Sequence, residues 1–164
     1  MTEITNPRQV VLITTRAKAV VMGKEKENDN IFTIDWHMPT SFSPRLYAIS
    51  VGKERFSYEL LKESGCFVVN FMSPEYEKEI LYCGRHSGRH IDKFKESKLT
   101  KEDADNIDCP RIKEALAYIE CEIINQLETG DHVIFVGKII NSVLKNKGKR
   151  LFHKTGDDFT TTID

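Results

Sequence analysis

The order of apolar and polar side chains predicts a chain built mainly from β-strands. Residues 32–36 alternate between apolar and polar types, and in residues 47–51 large apolar side chains alternate with Ala48 and Ser50. A period of two is typical of a strand with one buried face. Pro39 and Pro44 lie between these runs and lack backbone amide donors. The segment between the two strands is therefore predicted as a loop that does not continue the β-ladder.

The remaining apolar runs predict further strands. The two longest runs flank a Gly-Asp turn signal at residues 128–131, so we expect them to pair as a hairpin. A polar turn is expected at residues 23–30. The strands are predicted at residues 10–15, 17–22, 66–71, 117–123, 132–143 and 159–163.

Helices are predicted to be few and short. Ser57 is suited to cap a helix over residues 58–64, which Gly65 would end. A second helix is expected from Ser73, with proline at its first position, to about residue 83. Residues 84–110 are rich in charged side chains and are predicted as a long excursion with short helical pieces.

Six or more strands without regular strand-helix alternation argue against a doubly wound parallel sheet. A closed or nearly closed antiparallel barrel fits better, because closure removes exposed sheet edges. The chain of 164 residues is long enough for one sizeable core. We therefore predict a single, mainly β domain with short helices over residues 1–164.

The composition mainly excludes classes of binding partner and a membrane-spanning segment. Lys and Arg number 24 and Asp and Glu number 25, so the overall charge indicates neither a nucleic acid nor an anionic membrane as a partner. The longest apolar run is far shorter than a membrane span. The four cysteines have no Cys-x-x-Cys spacing, which predicts small buried thiols in a reducing compartment, with Cys66 as inert packing. We expect a soluble, cytoplasmic protein.

The predicted loop after residue 36 is the first candidate for chemistry. Its Thr40, Ser41 and Ser43 hydroxyls are free to bind a ligand if the loop does not pair with a strand. Trp36 enters this loop. It either fills the barrel or lies against a planar ligand.

Residues 83–94 are the second candidate. Two glycines lie among the basic and hydroxyl side chains of Arg85, Ser87 and Lys93, and this combination can bind a phosphate. A solvated surface loop is the alternative. His86 and His90 are four residues apart, but no zinc-protease motif accompanies them, so no metal site is predicted.

Several familiar signatures are absent. The chain has neither a dinucleotide-binding glycine motif, nor a P-loop, nor a serine nucleophile elbow. His132 and His153 are weak candidates for chemistry, since a histidine at the start of a strand is more often a capping or interface residue. The basic residues 145–150 are predicted as a solvated hairpin tip.

Taken together, the residues resemble the flavin reductase-like family of FMN-binding split barrels, which includes flavoredoxin and the flavin and ferric reductases. The resemblance covers nearly the whole chain, and the order and spacing of the matching segments carry it. These segments are residues 11–15, 30–39, 43–44, 65–70, 83–88, 92–94, 130–132 and 135–137.

The resemblance implies a six-stranded Greek-key split barrel, a homodimer, and FMN bound noncovalently near the dimer interface. It also implies that electrons pass through the cofactor, so that no acid or base catalyst is required. The phosphate is expected near the first helix and the basic loop, and the ring near the opening strands. The expected cofactor-binding residues are Thr33, Trp36, Met38, Thr40, Ser41, Ser50, Val51, Arg55, Ser57, Asn70, Phe71, Arg85, Ser87 and Lys93.

Two functions remain open at this point. The first is an oxidoreductase that takes electrons from NAD(P)H or a ferredoxin-like protein and passes them through FMN to a flavin, a metal or another acceptor. The second is a flavoredoxin-type electron carrier without its own NAD(P)H turnover. Family members often carry a double glycine after a histidine near the C-terminal strand, whereas His153 is followed by Lys-Thr-Gly. An oligonucleotide-binding barrel is a third, weaker alternative.

Overall fold

A computed structural model describes residues 2–21 and 23–162. Strands dominate it, and two strands of 13 residues form its longest hairpin. The strands are β1 (Arg8–Gln9), β2 (Val11–Val21), β3 (Lys24–Ile34), β4 (His37–Phe42), β5 (Arg45–Gly52), β6 (Cys66–Phe71), β7 (Lys101–Asp103), β8 (Pro110–Ile112), β9 (Ala117–Thr129), β10 (His132–Leu144), β11 (Leu151–Thr155) and β12 (Asp158–Thr161). The helices are α1 (Thr2–Thr5), α2 (Phe56–Ser64), α3 (Glu77–Arg85) and α4 (Lys93–Ser97), with a 3-10 turn at Pro74–Tyr76.

Seven strands form the main sheet, in the order β3-β2-β6-β9-β10-β5-β4. Every neighbouring pair in it is antiparallel. β3 and β4 are its two edges, so this sheet is not closed by a further ladder between them. The predicted mainly β, antiparallel split-barrel class is confirmed, but the main sheet has seven strands rather than six, and closure by a ladder between its edges is not seen among the described residues. β1, β11 and β12 form a separate three-stranded sheet.

The main core lies inside the curved sheet. Phe67 and Phe135 are fully buried there. The register of β10 shifts between Val136 and Gly137, where a Cβ on the glycine would lie 2.6 Å from the Cβ of Cys121 and 2.9 Å from the Phe67 ring. Glycine is therefore required here because β9 and the Phe67 ring approach the β10 backbone so closely.

Two predicted turns are strands in the structure. Residues 24–30 belong to β3, which pairs with β2 along its whole length, so only Gly23 of the predicted turn at residues 23–30 is a turn. The strands predicted separately at residues 10–15 and 17–22 form one continuous strand, β2. Residues 37–42 form the edge strand β4, and Pro39 is accommodated where the register against β5 shifts. An edge strand tolerates proline because the missing amide faces no partner strand. The predicted loop there was wrong.

The helix boundaries also differ in detail. α2 begins at Phe56 with Arg55 as its N-cap residue, so Ser57 lies inside the first turn and is not the cap. Gly65 ends the helix in a left-handed conformation, φ +69°, as predicted. Ser73 caps the 3-10 turn that precedes α3, and α3 continues through Gly84 to Arg85.

The C-terminal region holds a strand that the sequence pattern did not predict. β11 pairs with β1 on one side and β12 on the other. Residues 145–150 connect two different sheets and are not a hairpin tip. The final strand ends at Thr161, and the predicted positions Met22 and Ile163 lie outside the described residues. No helix in the described part of the chain is long and apolar enough to cross a membrane.

Candidate functional site

A cleft of about 340 Å³ opens where the ends of β3 and β5 meet the helices. The strands form one wall, the first turn of α2 forms a second wall, and the end of α3 with the following loop forms a third. Its lining residues are Phe32, Thr33, Ile34, Asp35, Trp36, Ser50, Val51, Gly52, Arg55, Phe56, Ser57, Cys83, Gly84, Arg85, His86, Ser87, Gly88, Lys93 and His132.

Lys93 is the most unusual of these residues because its side chain is buried and cationic. It is 3% exposed, and Nζ donates to the Cys83 carbonyl at 2.7 Å. Of the hydrogen bonds between described residues, this is the one that Nζ makes, although an ammonium group carries three donors. Burial lowers the pKa of Lys93 to about 8, and the nearby Arg55 adds to this effect. A buried cation with unused donors is suited to an anionic ligand.

Asn30 and Ser57 lie behind the same end of the cleft. Asn30 Nδ2 donates to Ser57 Oγ at 3.2 Å, and Asn30 Oδ1 is buried without a hydrogen-bond partner among the described residues. A Cβ on Gly88 would lie 2.2 Å from that oxygen, so glycine is required for this close approach of the loop. The loop backbone is thereby brought against the first turn of α2.

Two arginines add positive charge at this end. Arg55 is the N-cap residue of α2, where the helix dipole also favours an anion. Its side chain is two-thirds exposed, and the nearest carboxylate, on Glu54, is 3.9 Å away. Arg85 ends α3 and pairs with Asp157. With Lys93 buried and Arg55 weakly paired, this end of the cleft has an excess of positive charge.

Another part of the cleft lining is aromatic. The Trp36 ring lies 4.8 Å from the His132 ring, between centroids, at an interplanar angle of 33°. Trp36 is 39% exposed, so it does not fill the barrel. His132 Nδ1 is 2.7 Å from the Asp131 carboxylate. A flat, half-exposed aromatic surface beside strand ends suits a planar ligand.

Asp35 links the cleft to the C-terminal sheet. Its Oδ2 accepts from Arg8 Nη2 at 3.0 Å and lies 2.7 Å from His153 Nδ1. His153 Nε2 in turn is 3.0 Å from the Gly156 carbonyl. A smaller, mostly apolar cavity of about 190 Å³ adjoins the cleft here, and His153 and Phe159 line it. His153 therefore lies beside the main cleft, whereas His132 lies within it.

Most residues predicted to bind a cofactor meet in this one cleft, although they come from four separate segments. The predicted residues that line the cleft are Thr33, Trp36, Ser50, Val51, Arg55, Ser57, Arg85, Ser87 and Lys93.

Five predicted residues lie elsewhere. Met38, Thr40 and Ser41 belong to β4, because residues 37–42 pair with β5 rather than forming a loop. Asn70 is fully buried, and its amide group bonds the Leu12 carbonyl, Thr14 Oγ1 and the Ile112 amide. Phe71 lines a groove beside Arg150, away from the cleft.

Sequence reasoning missed several lining residues, including Asp35, Gly52, Phe56 and Gly84. Gly84 is a clear case, since a Cβ there would lie 3.2 Å from Thr33 Cβ. Gly84 belongs to the segment 83–94 that the sequence analysis selected. Its close approach to β3 depends on a tertiary contact, which the sequence pattern does not show. Among the described residues, no group of three or more His, Cys, Asp or Glu side chains converges to hold a metal ion.

The chain is similar to several known proteins. Residues 4–161 match the model of the flavin reductase like domain. A protein of Archaeoglobus fulgidus is 38% identical over 126 residues, which cover 77% of this chain and 70% of that protein. Flavoredoxin from Methanosarcina acetivorans is 25% identical with a TM-score of 0.80, over 96% of this chain and 86% of that one. An FMN-binding protein from Thermus thermophilus shares the fold at 20% identity, with a TM-score of 0.84 over 98% and 89% of the two chains.

Proposed function

The chain belongs to the flavin reductase-like family, and we propose that it is an FMN-dependent oxidoreductase. In this proposal it takes electrons from NAD(P)H or a ferredoxin-like protein and passes them to a flavin, a metal or another acceptor. Family membership itself supports flavin-linked electron transfer, and the fold is shared with flavin reductases. The observation that carries the assignment of FMN is the buried Lys93, with unused hydrogen-bond donors, in a cleft whose lining also includes the Trp36 and His132 rings.

The phosphate of FMN fits the positive end of the cleft. Lys93 would donate to it from the buried wall of the cleft. Arg55 and the first-turn amides of α2 would bind it from the helix wall. Ser57 and Ser87 supply hydroxyl groups on two walls of this end. A lysine that is 3% exposed with a pKa lowered to about 8 gains from such a partner, because a dianion offsets its desolvation.

The flavin ring fits the strand wall. Thr33, Ser50 and Val51 lie at the ends of β3 and β5 and present small side chains. They leave room for a flat ring, with hydrogen bonds to its polar edge from backbone and hydroxyl groups. Trp36 and His132 would cover one end of the ring and exclude water there.

When bound, FMN supplies the ability to accept and donate hydride or single electrons. The residues of this chain bind and orient it. Asp35 is held by Arg8 and His153, so its carboxylate position is fixed at the edge of the cleft. The adjoining apolar cavity provides space beside the ring site for part of a donor or acceptor molecule.

The first test is a visible spectrum of the purified protein after incubation with FMN and removal of unbound FMN. The proposal requires a stoichiometric flavin band. A colourless protein, together with no FMN binding in equilibrium dialysis, would exclude it.

The second candidate function is an electron carrier without its own NAD(P)H turnover, favoured by the similarity to flavoredoxin. Anaerobic mixing of the FMN-loaded protein with NADH and with NADPH separates the two. Rapid loss of the flavin absorbance indicates a reductase. Loss only after addition of a reduced ferredoxin-like protein indicates a carrier.

We also propose a homodimer. Edge strand β4 exposes large apolar side chains, with Phe42 at 98% and Met38 at 57% exposure, and Leu127 on β9 is 57% exposed. Such side chains are suited to an interface. Thr40 and Ser41 on the same strand would then lie at the interface rather than in the cleft. Sedimentation equilibrium tests this, and a monomer at micromolar concentration with FMN bound would contradict it.

A further inference from the structure

Cys66 and Cys109 form a close pair of thiols away from the cleft. Their Sγ atoms are 2.7 Å apart, although the residues are 43 positions apart in the chain. Cys66 begins β6, and Cys109 ends the irregular segment that leads into β8. Cys66 is 7% exposed and Cys109 is fully buried. Neither residue lines a cavity described above.

Ser64 lies beside both sulfurs of the pair. Ser64 Oγ is 3.4 Å from Cys66 Sγ and 3.6 Å from Cys109 Sγ. The contact with the Cys66 thiol lowers the pKa of Cys109, against the opposing effect of burial. The same contact with Cys109, together with burial, raises the pKa of Cys66. Either thiol can thus donate to the other sulfur and favour its thiolate form.

The two remaining cysteines have different surroundings. Burial raises the pKa of Cys83 to about 11 and that of Cys121 to about 12. Within the described part of the chain, neither has a second sulfur in hydrogen-bond contact. Cys121 therefore serves as an internal control for a thiol that is equally buried but unpaired.

We propose that Cys66 and Cys109 are a redox-active pair that hydroperoxides oxidise to an intramolecular disulfide. One of the two sulfurs, as a thiolate, attacks the terminal peroxide oxygen, the O–O bond breaks, and the leaving oxygen takes a proton and departs as water or an alcohol. The other sulfur then attacks the resulting sulfenic acid, the S–O bond breaks, and water leaves with the proton of that second thiol. In total, two thiols are oxidised and one hydroperoxide is reduced.

The disulfide would tie together two distant parts of the chain. The closed loop runs from β6 to the segment before β8 and contains α3, the residues 83–94 and α4. These elements form one wall of the cleft. A covalent link at both ends of such a long segment restricts the unfolded chain and stabilises the folded one. This inference stands independently of the cofactor.

The experiment uses the purified full chain, reduced, desalted and then titrated with hydrogen peroxide. Thiols are counted by maleimide mass tagging after unfolding, and proteolytic peptides are mapped without reductant. We expect two of the four thiols to be lost, a cross-linked peptide joining Cys66 to Cys109, and an increase in the thermal unfolding midpoint. Dithiothreitol should reverse all three changes.

Three variants, each with one cysteine replaced, test whether the cross-link requires this pair. Cys121→Ala should still lose two thiols to peroxide, whereas Cys66→Ser and Cys109→Ser should form no cross-link. Four intact thiols in peroxide-treated wild-type protein would overturn the proposal. So would sulfinic acid on a single cysteine without a cross-link, or a cross-link that involves Cys83 or Cys121. The wild-type peptide map decides the question even if a serine variant fails to fold.

Discussion

Lys93 and Glu120 are both buried ionisable residues, but they have different partners. Glu120 is fully buried, and its carboxylate accepts from the Asp105 amide at 2.9 Å and from the Asn106 amide and side chain at 3.0 and 3.1 Å. The Arg111 guanidinium is 3.8 Å away. Lys93 is almost as buried, yet its hydrogen bonding within the described chain is limited to the Cys83 carbonyl.

The difference indicates what each residue does. A buried charge whose hydrogen bonds are all made within the chain stabilises the fold, because its desolvation is offset locally. A buried charge with unused donors beside a cleft keeps them for a ligand. Glu120 therefore holds the loop before β8 in place. Lys93 is expected to bind the anionic part of the ligand. Each of the following predictions separates these two roles.

The largest effect is expected for Glu120→Ala. Removing the carboxylate leaves the Asp105 and Asn106 backbone amides and the Asn106 side-chain amide without their common acceptor, and it leaves a cavity in the core, so the free energy of unfolding should fall by about 3 kcal/mol. Urea denaturation of the cofactor-free protein measures this. FMN affinity should stay within about twofold, since the residue lies outside the cleft. A large loss of affinity with unchanged stability would reverse the assigned roles.

Lys93→Met should weaken FMN binding by about 10- to 100-fold, because one charge-assisted interaction with the phosphate is lost. Fluorescence titration measures the Kd. The matched control is Lys95→Met, since Lys95 lies on the same helix but is exposed. If both substitutions weaken FMN binding equally, Lys93 contributes only long-range attraction and makes no direct contact with the phosphate.

Raising the pH should increase the stability of the cofactor-free protein but weaken its binding of FMN. The pKa of Lys93 is about 8 when folded and 10.5 in its ordinary state. The unfolded chain therefore binds more protons between these values, and Lys93 makes the cofactor-free protein more stable as pH rises from 8 to 10.5. FMN needs the protonated form, so its affinity should fall about tenfold between pH 7 and pH 9. An affinity that is flat over this range in wild-type protein would contradict the assignment.

A smaller effect is expected for Ser57→Ala. Its hydroxyl is one of several donors at the positive end of the cleft, so FMN affinity should fall by about fivefold. Ser43→Ala, on the exposed turn between β4 and β5, is the control and should change nothing. If both variants bind FMN like the wild type, the phosphate does not lie near the first turn of α2.

The fold was largely predictable because strand periodicity is a local property. The long β9–β10 hairpin and the buried strand β6 follow directly from it. The errors arose where tertiary context overrides local signals. Residues 24–30 are polar but pair with β2 throughout, and Pro39 is tolerated because β4 is an edge strand. β11 is stabilised by pairing with β1, which no local pattern shows.

The candidate site was predictable in part. Lys93 and Ser87 came from a basic, glycine-containing segment, and family resemblance added Arg55 and Ser57. The contrast between Lys93 and Glu120 was not predictable, because the number of partners around a buried charge depends on the packed structure. Asn70 shows the same limit: it was expected near the cofactor, but its hydrogen bonds lie within the core.

The most direct test of the account compares FMN with riboflavin, which lacks the phosphate, in wild-type protein and Lys93→Met at pH 7. If Lys93 binds the phosphate, wild-type protein should prefer FMN by about 10- to 100-fold, and the variant should lose most of this preference while binding riboflavin unchanged. The same FMN preference in both proteins, or an equal loss of FMN and riboflavin binding in the variant, would contradict the account.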